Sequence, residues 1–190
     1  MKAARFSQFG GPEVLEIVDL PDPHAGPGQV RIVVHAAGIN ATELKLRRGL
    51  VSFGAELPQT TGRDVAGVVD ELGEGVTDVA IGDRVFGISD DGAGAAELAL
   101  LTFRAPIPPS LGFVDAAGLA VALETATRSL DQLGVGPGRT LLINGAGGGI
   151  GSTAVQLALA RRARVIGTAS PANHDYLRTL GAEPVAYGAV

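Results

Sequence analysis

The 190-residue chain contains no cysteine, so disulfides, thiolate metal sites and a cysteine nucleophile are all excluded. Histidine is almost as scarce: His24, His35 and His174 are scattered without ligand spacing, and no metal site is expected from them. No apolar run approaches the length of a membrane span, and Met1-Lys-Ala-Ala-Arg-Phe-Ser7 has no signal-peptide core. The expectation is a cytoplasmic protein with no membrane partner. Basic clusters with interleaved aromatics are also missing, and the net charge is −5, so nucleic acid is not an expected partner. Arg161, Arg162 and Arg164, the densest basic group, read as the solvated end of a helix whose dipole they complement.

The chain is rich in apolar residues. They make up 46% of it, with a mean hydropathy of +0.28, enough for one good core or two small ones. Short β-type runs dominate the first part: Lys2 to Phe6, Leu15 to Val18, Val30 to Ala36, Gly67 to Glu71 and Ala96 to Leu101. They are separated by breakers such as Pro21-Asp-Pro23, Gly26-Pro-Gly28 and Gly82-Asp83. Only Ala41 to Arg48 reads as an early helix. From Ile107-Pro-Pro109 the character changes, and Val114 to Leu123 and Glu124 to Leu133 read as helices. The expected division is a mostly β domain over residues 1–108 and an α/β domain over 109–190.

The α/β part carries the strongest local signal. Thr140-Leu-Leu-Ile-Asn144 empties into Gly145-Ala-Gly-Gly-Gly-Ile-Gly151 and then into Ser152-Thr-Ala-Val-Gln-Leu-Ala-Leu-Ala160, which reads as strand, tight turn and helix start. A pyrophosphate binds where backbone N–H groups converge at a helix N-terminus, and a Cβ in the turn would hold it away. With Gly148 and Gly151 in the second and third glycine places, Ala146 occupies the first; read the other way, Gly145, Gly148 and Gly151 are spaced by three. Arg164 to Thr168 supplies a second strand and completes a βαβ unit. Where NAD-binding proteins carry a carboxylate for the ribose 2′-hydroxyl, this chain has Thr168-Ala-Ser170, and a small hydroxyl residue leaves room for a 2′-phosphate. The sequence therefore leans toward NADPH, with Asn173, His174 and the more distant Arg178 as polar candidates near that end. Tyr176 to Leu180 reads as the next helix, Gly181 as its C-cap and Glu183 to Tyr187 as a third strand whose exposed edge needs a cover.

Several motifs occur together in order: Phe9-Gly-Gly-Pro-Glu-Val-Leu15, Ala36-Ala-Gly-Ile-Asn40 with Lys45 and Arg48-Gly49, Thr61-Gly-Arg-Asp-Val-Ala-Gly-Val-Val69, Gly82-Asp-Arg-Val-Phe-Gly87, Glu124-Thr-Ala126, the glycine turn and Leu180-Gly-Ala182. In these the chain resembles the zinc-independent quinone oxidoreductase branch of the medium-chain dehydrogenase/reductase superfamily, C-terminally shortened. The resemblance implies a GroES-like β domain followed by the first half of a Rossmann domain, with the active site in the cleft between them. It also implies that Asn40 and Arg63-Asp64 stand where zinc-dependent relatives carry a cysteine and a His-Glu pair, so zinc chemistry is not expected.

What the resemblance implies instead is hydride transfer from NADPH to a quinone, enone or enal. Asn40 would serve as a cleft amide near the nicotinamide, Lys45 as donor or proton source, and Thr125 on the nicotinamide ribose side. Gly145, Ala146, Gly148, Gly149, Ile150, Gly151, Ser170 and Asn173 would hold the cofactor. Each catalytic candidate also has a structural reading: Asn40 as the cap of the helix at Ala41, Lys45 as a solvated surface residue, Thr125 bonded to its own helix backbone, Arg63 and Asp64 as an ion pair or turn residues. Relatives carry an aromatic before the Ala96-Glu97 pair, where this chain has Ala95, which implies a more open cleft. They also run on well past this length, with the second Rossmann half and the usual dimer edge. A homo-oligomer or a complementing C-terminal chain is therefore an expected partner. The alternative to a reductase is a shortened, non-reducing relative that acts as a binding or scaffold module, or half of a two-chain enzyme.

Overall fold

A computed structural model describes residues 1–52, 54 and 56–188. The chain forms two compact units, Met1–Val121 and Ala122–Val190.

The first unit is built from antiparallel strands. A small sheet has the order β2-β1-β4, from β1 (Lys2–Phe6), β2 (Leu15–Asp19) and β4 (Gln59–Thr60). A larger sheet has the order β7-β3-β5-β6-β8, from β3 (Val30–Ala37), β5 (Asp64–Leu72), β6 (Arg84–Ile88), β7 (Leu98–Leu101) and β8 (Arg104–Pro106). Strand β5 is buried almost without alternation because both faces of this sheet are covered. Val65 and Val69 pack with Val30, Ile32, Val85 and Leu101 on one side. Ala66 packs on the other side with Ile107, Ala116 and Ala117, so the proline-rich stretch around 107–109 lies within the first unit.

Strand β5 starts at Asp64, three residues before the Gly67 expected from the sequence, because a strand covered on both faces carries no period-two signal. Strands β4, β6 and β8 are not signalled by the sequence, being short or next to turn residues. The two helices expected to meet at Leu123 and Glu124 are placed differently in the structure. Helix α2 is one turn, Phe113–Ala116, and turn bonds to Gly118 and Leu119 end it. Helix α3 then runs unbroken through Ala120–Gln132, since nothing near Glu124 interrupts helical hydrogen bonding.

The second unit carries a parallel sheet of order β11-β10-β9, made of β9 (Thr140–Ile143), β10 (Arg164–Ala169) and β11 (Glu183–Ala186). Helices α4 (Gly149–Ala160) and α5 (His174–Leu180) make the crossovers. Val155 and Ala158 of α4 and Leu177 of α5 bury against Val165 and Ala169 of β10, so the apolar stripes of the helices and one sheet face form a single core. Gly181 caps α5 in the left-handed conformation, φ 95°, as expected. Arg161 pairs with Asp131 and Arg164 with Glu183, so two of the three clustered arginines are held in ion pairs.

Candidate functional site

In the first unit, register brings two distant polar residues together. Ala37 of β3 pairs with Val65 of β5, and the next residue, Gly38, donates its N–H to the Asp64 carbonyl at 2.8 Å. Asn40 follows at the N-cap of α1 (Ala41–Arg47), with the Asp64 side chain beside it. The Asn40 Nδ2 donates to Asp64 Oδ2 at 3.0 Å, while the Val121 N–H, in the first turn of α3, donates to Asp64 Oδ1 at 2.6 Å. Asp64 is only 2% exposed. Loss of solvation pushes its carboxyl above the ordinary aspartate range; the bonds from Asn40 and Val121 act against this shift, and the Glu43 charge adds to it.

Glu43, also buried, holds the backbone around this pair. Its Oε2 accepts from the Asn40 N–H at 2.6 Å, and its Oε1 accepts from the N–H groups of Gly62 and Arg63 at 2.8 and 2.7 Å. One carboxylate therefore joins the start of α1 to the loop that precedes β5. The reciprocal Asn-to-Glu spacing, three residues apart at a helix start, was visible in the sequence, but the two loop donors were not. Lys45 lies two residues further along α1 on an exposed face, and its carbonyl accepts from the Leu50 N–H. Asp64 gives one testable consequence for stability. Because its folded pKa is raised, the folded state binds more protons than the unfolded state between the ordinary and the raised value, so stability falls as pH rises through that window. Urea unfolding at stepped pH should show this decline in the wild type and a flatter curve for Asp64→Asn. Equal slopes would remove Asp64 as its source.

In the second unit the chain leaves β9 through Asn144 and Gly145, where a left-handed φ of +73° favours glycine. Thr168, the buried penultimate residue of β10, straps this turn: its Oγ1 accepts from the Gly145 N–H at 3.1 Å, its carbonyl accepts from the Ala146 N–H at 2.9 Å, and its hydroxyl donates to Asn144 Oδ1. Of the two hydroxyl residues at the end of this strand, Thr168 is thus committed to the turn, and Ser170, half-buried, is the one left beside it. In the sequence Thr168 reads only as part of the strand end, because its spacing from the turn carries no local signal.

Gly148 is the N-cap of α4 and brings no side chain to it. The first bond of the helix runs from the Ser152 N–H to the Gly148 carbonyl at 2.8 Å, so the N–H groups of Gly149, Ile150 and Gly151 precede the helical ladder. A Cβ built at Gly149 meets nothing, and one at Gly148 meets only the Gly145 carbonyl oxygen at 3.4 Å, leaving the approach to these donors open. Gly151 serves the opposite purpose. A Cβ there would collide with the Gly145 carbonyl oxygen and stand 2.8 Å from Ala146 Cα, so the helix can pack onto the turn only if residue 151 lacks a side chain.

Both glycine spacings thus have a role: Gly145 shapes the turn, buried Ala146 fills the interior beside Gly167, Gly148 opens the cap and Gly151 lets the helix close. Asn173 is brought to the same turn, its Nδ2 lying 2.8 Å from where a Cβ of Gly147 would sit. His174 meets the Ala169 carbonyl through Nε2 at 3.3 Å, and Arg178 is paired with Asp175 at 2.6 Å. Thr125 lies half-buried on α3, with its carbonyl accepting the Ser129 hydroxyl at 2.7 Å.

The site thus sits in an antiparallel β unit followed by a parallel βαβ unit with a glycine turn at its first crossover, the arrangement of a dinucleotide-type fold. Residues 26–128 match the alcohol dehydrogenase GroES-like domain family. The quinone oxidoreductase of Rattus norvegicus is 40% identical over 173 residues, covering 89% of this chain and 53% of that protein. The structure of the quinone oxidoreductase from Coxiella burnetii superposes with a TM-score of 0.87 at 40% identity, over 99% of this chain and 62% of that one. A mycobacterial protein solved in complex with NADPH superposes with a TM-score of 0.82 at 32% identity, over 100% of this chain and 60% of that one. The chain belongs to the medium-chain dehydrogenase/reductase superfamily, in its quinone oxidoreductase branch, with a GroES-like unit and the first part of a Rossmann unit. It spans between half and two thirds of the length of these relatives.

Proposed function

We propose that this oxidoreductase reduces a quinone or an α,β-unsaturated carbonyl compound with NADPH and without zinc. The observation that carries the reading is the open N-terminus of α4, where three backbone donors follow a glycine cap that has no side chain to occupy them. Such donors, with the positive end of the helix dipole behind them, suit a pyrophosphate. The N–H groups of Gly149, Ile150 and Gly151 would take that group, with Gly145, Ala146 and Gly148 shaping the turn beneath it and Asn173 bordering it. NADPH rather than NADH is supported by Ser170 standing where a ribose-binding carboxylate would exclude a 2′-phosphate, and by the NADPH bound to the mycobacterial relative.

When bound, NADPH supplies the hydride that adds to the β-carbon of the substrate or to the quinone. The chain's own residues deal with the charge and the proton. Reduction builds negative charge on a carbonyl oxygen, and Asn40, whose Nδ2 has a second N–H beyond the one given to Asp64, is the proposed donor to that oxygen. Lys45 offers an exposed ammonium as donor or proton source, and Thr125 a hydroxyl for the ribose side. Asn40 and Arg63 in place of zinc-binding side chains support a metal-free reaction, because an amide and a guanidinium are poor zinc ligands.

Titration of NADPH into the purified chain tests the reading. Saturation should raise the thermal midpoint by several degrees, since a ligand at about 100 times its Kd adds about 2.7 kcal/mol of stability. NADPH absorbance should then fall on addition of a quinone. An unchanged midpoint at millimolar NADPH overturns the proposal, and binding without turnover leaves a nucleotide-binding module in place of a reductase.

A further inference from the structure

Two buried carboxylates surround the residue proposed to meet the substrate, and neither has a part in the chemistry described above. Asn40 is held through its backbone by Glu43 and through its side chain by Asp64. The two contacts do different work. A carboxamide has two ends of nearly the same shape and opposite polarity, so packing alone discriminates poorly between its orientations. An ionised carboxylate only accepts hydrogen bonds, and therefore selects the NH₂ end.

Asp64 can make this selection because it is itself immobilised. Its other oxygen is tied to the Val121 N–H at 2.6 Å, its backbone carbonyl accepts from Gly38 at 2.8 Å, and strand β5, which it begins, is paired on both sides. A side chain 2% exposed and bonded in this way has almost no rotational freedom. The Glu43 bond to the Asn40 N–H fixes the Cα from which the amide hangs.

We propose that Asp64 is the positioning residue for Asn40: held at Oδ1 by Val121, it fixes the Asn40 carboxamide through Oδ2, so that Asn40 Oδ1 stays on the N-terminal turn of α1 and the second Nδ2 proton is the atom offered to a substrate. Asp64 touches no reactant and acts only through Asn40. The role in catalysis rests on the reductase reading; the orientation of the amide does not.

The consequence is a strict coupling between the two residues. In Asp64→Asn one of the two acceptor oxygens becomes an NH₂ group. If the new amide keeps its oxygen toward Val121, its NH₂ faces that of Asn40, and Asn40 relieves the clash by turning its own oxygen inward. The amide then sits in the wrong orientation with the residue still present.

Two measurements test this. On the unmodified chain, labelled with ¹⁵N and ¹³C, NMR should show a through-hydrogen-bond coupling between Asn40 Nδ2 and the Asp64 carboxylate carbon, and one slowly exchanging Nδ2 proton. Their absence overturns the proposal, and this arm needs neither turnover nor a folded variant. In the second arm, Asp64→Asn should lower kcat about tenfold to hundredfold, with KM for NADPH within about twofold of wild type, the size expected for a displaced catalytic group. Asn40→Ser should lower kcat comparably, and the double variant should be no slower than the slower single variant. Losses that multiply in the double variant show that Asp64 acts independently of Asn40 and overturn the proposal. If the wild-type chain reduces no quinone while the coupling is present, the positioning stands and the reductase reading falls.

Discussion

Replacing Glu43 by alanine should lower the unfolding free energy of the chain by about 3–5 kcal/mol, a large share of the roughly 5–15 kcal/mol that holds a domain folded. Three backbone donors converge on this one side chain: Asn40, Gly62 and Arg63, at 2.6, 2.8 and 2.7 Å. The site is buried, with Glu43 7% exposed, so water replaces the lost acceptor only in part. A stranded buried donor costs about 1–3 kcal/mol, and hydrogen bonds to a charged acceptor are the stronger kind. The capping bond at the start of α1 disappears in the same step, so the helix and the loop leading into β5 lose their common anchor.

Glu43→Gln separates the contributions. Its amide oxygen can keep the Gly62 and Arg63 donors, but its NH₂ then faces the Asn40 N–H, so the loss should be smaller than for alanine and still measurable. Urea unfolding of the three proteins checks the order. Equal stability of wild type and Glu43→Ala would refute the anchoring role.

Gly151→Val should abolish detectable NADPH binding and destabilise the second unit by about 1–3 kcal/mol or more. The obstacle is backbone: the added Cβ collides with the Gly145 carbonyl oxygen and crowds Ala146 Cα at 2.8 Å, and neither can swing aside as a side chain would. Either α4 moves off the turn or the turn unwinds, and in both cases the N–H groups of Gly149 and Ile150 no longer converge. The strap from Thr168 to Gly145 and Ala146 resists the second outcome, which is why the cost appears in stability as well as in binding.

Gly149→Val is the matched control. A Cβ there meets nothing in the structure, and an ordinary residue in a helix is preferred to glycine, so stability should hold or rise slightly. The same side chain stands at the approach to the donors, so NADPH binding should weaken without a loss of stability. Thermal unfolding with and without NADPH reads both quantities on both variants. Tight NADPH binding by Gly151→Val would exclude this turn as the pyrophosphate site.

The parts of this protein that are legible in the sequence are those encoded over short spans. The strand, glycine turn and helix around residues 140–160, the second strand, the cap at Gly181 and the helix after Asn40 all follow from periodicity and from residues with unusual backbone demands. The order of motifs along the chain identified the family before any contact was known. The absence of cysteine disposed of disulfides and thiolate ligands outright.

Tertiary structure decided the rest, because the bonds that make the site join residues far apart in sequence. Asn40 meets Asp64 across 24 residues, Asp64 meets Val121 across 57, and Gly145 meets Thr168 across 23. Each meeting depends on strand register, which shifts every side chain to the other face if it slips by one residue, and no local pattern specifies it. The sequence could thus name Asn40 as a candidate and leave Asp64 as an ion-pair or turn residue. Only the pairing of β3 with β5 shows that a buried carboxylate, tied to the start of α3, holds the Asn40 amide in place.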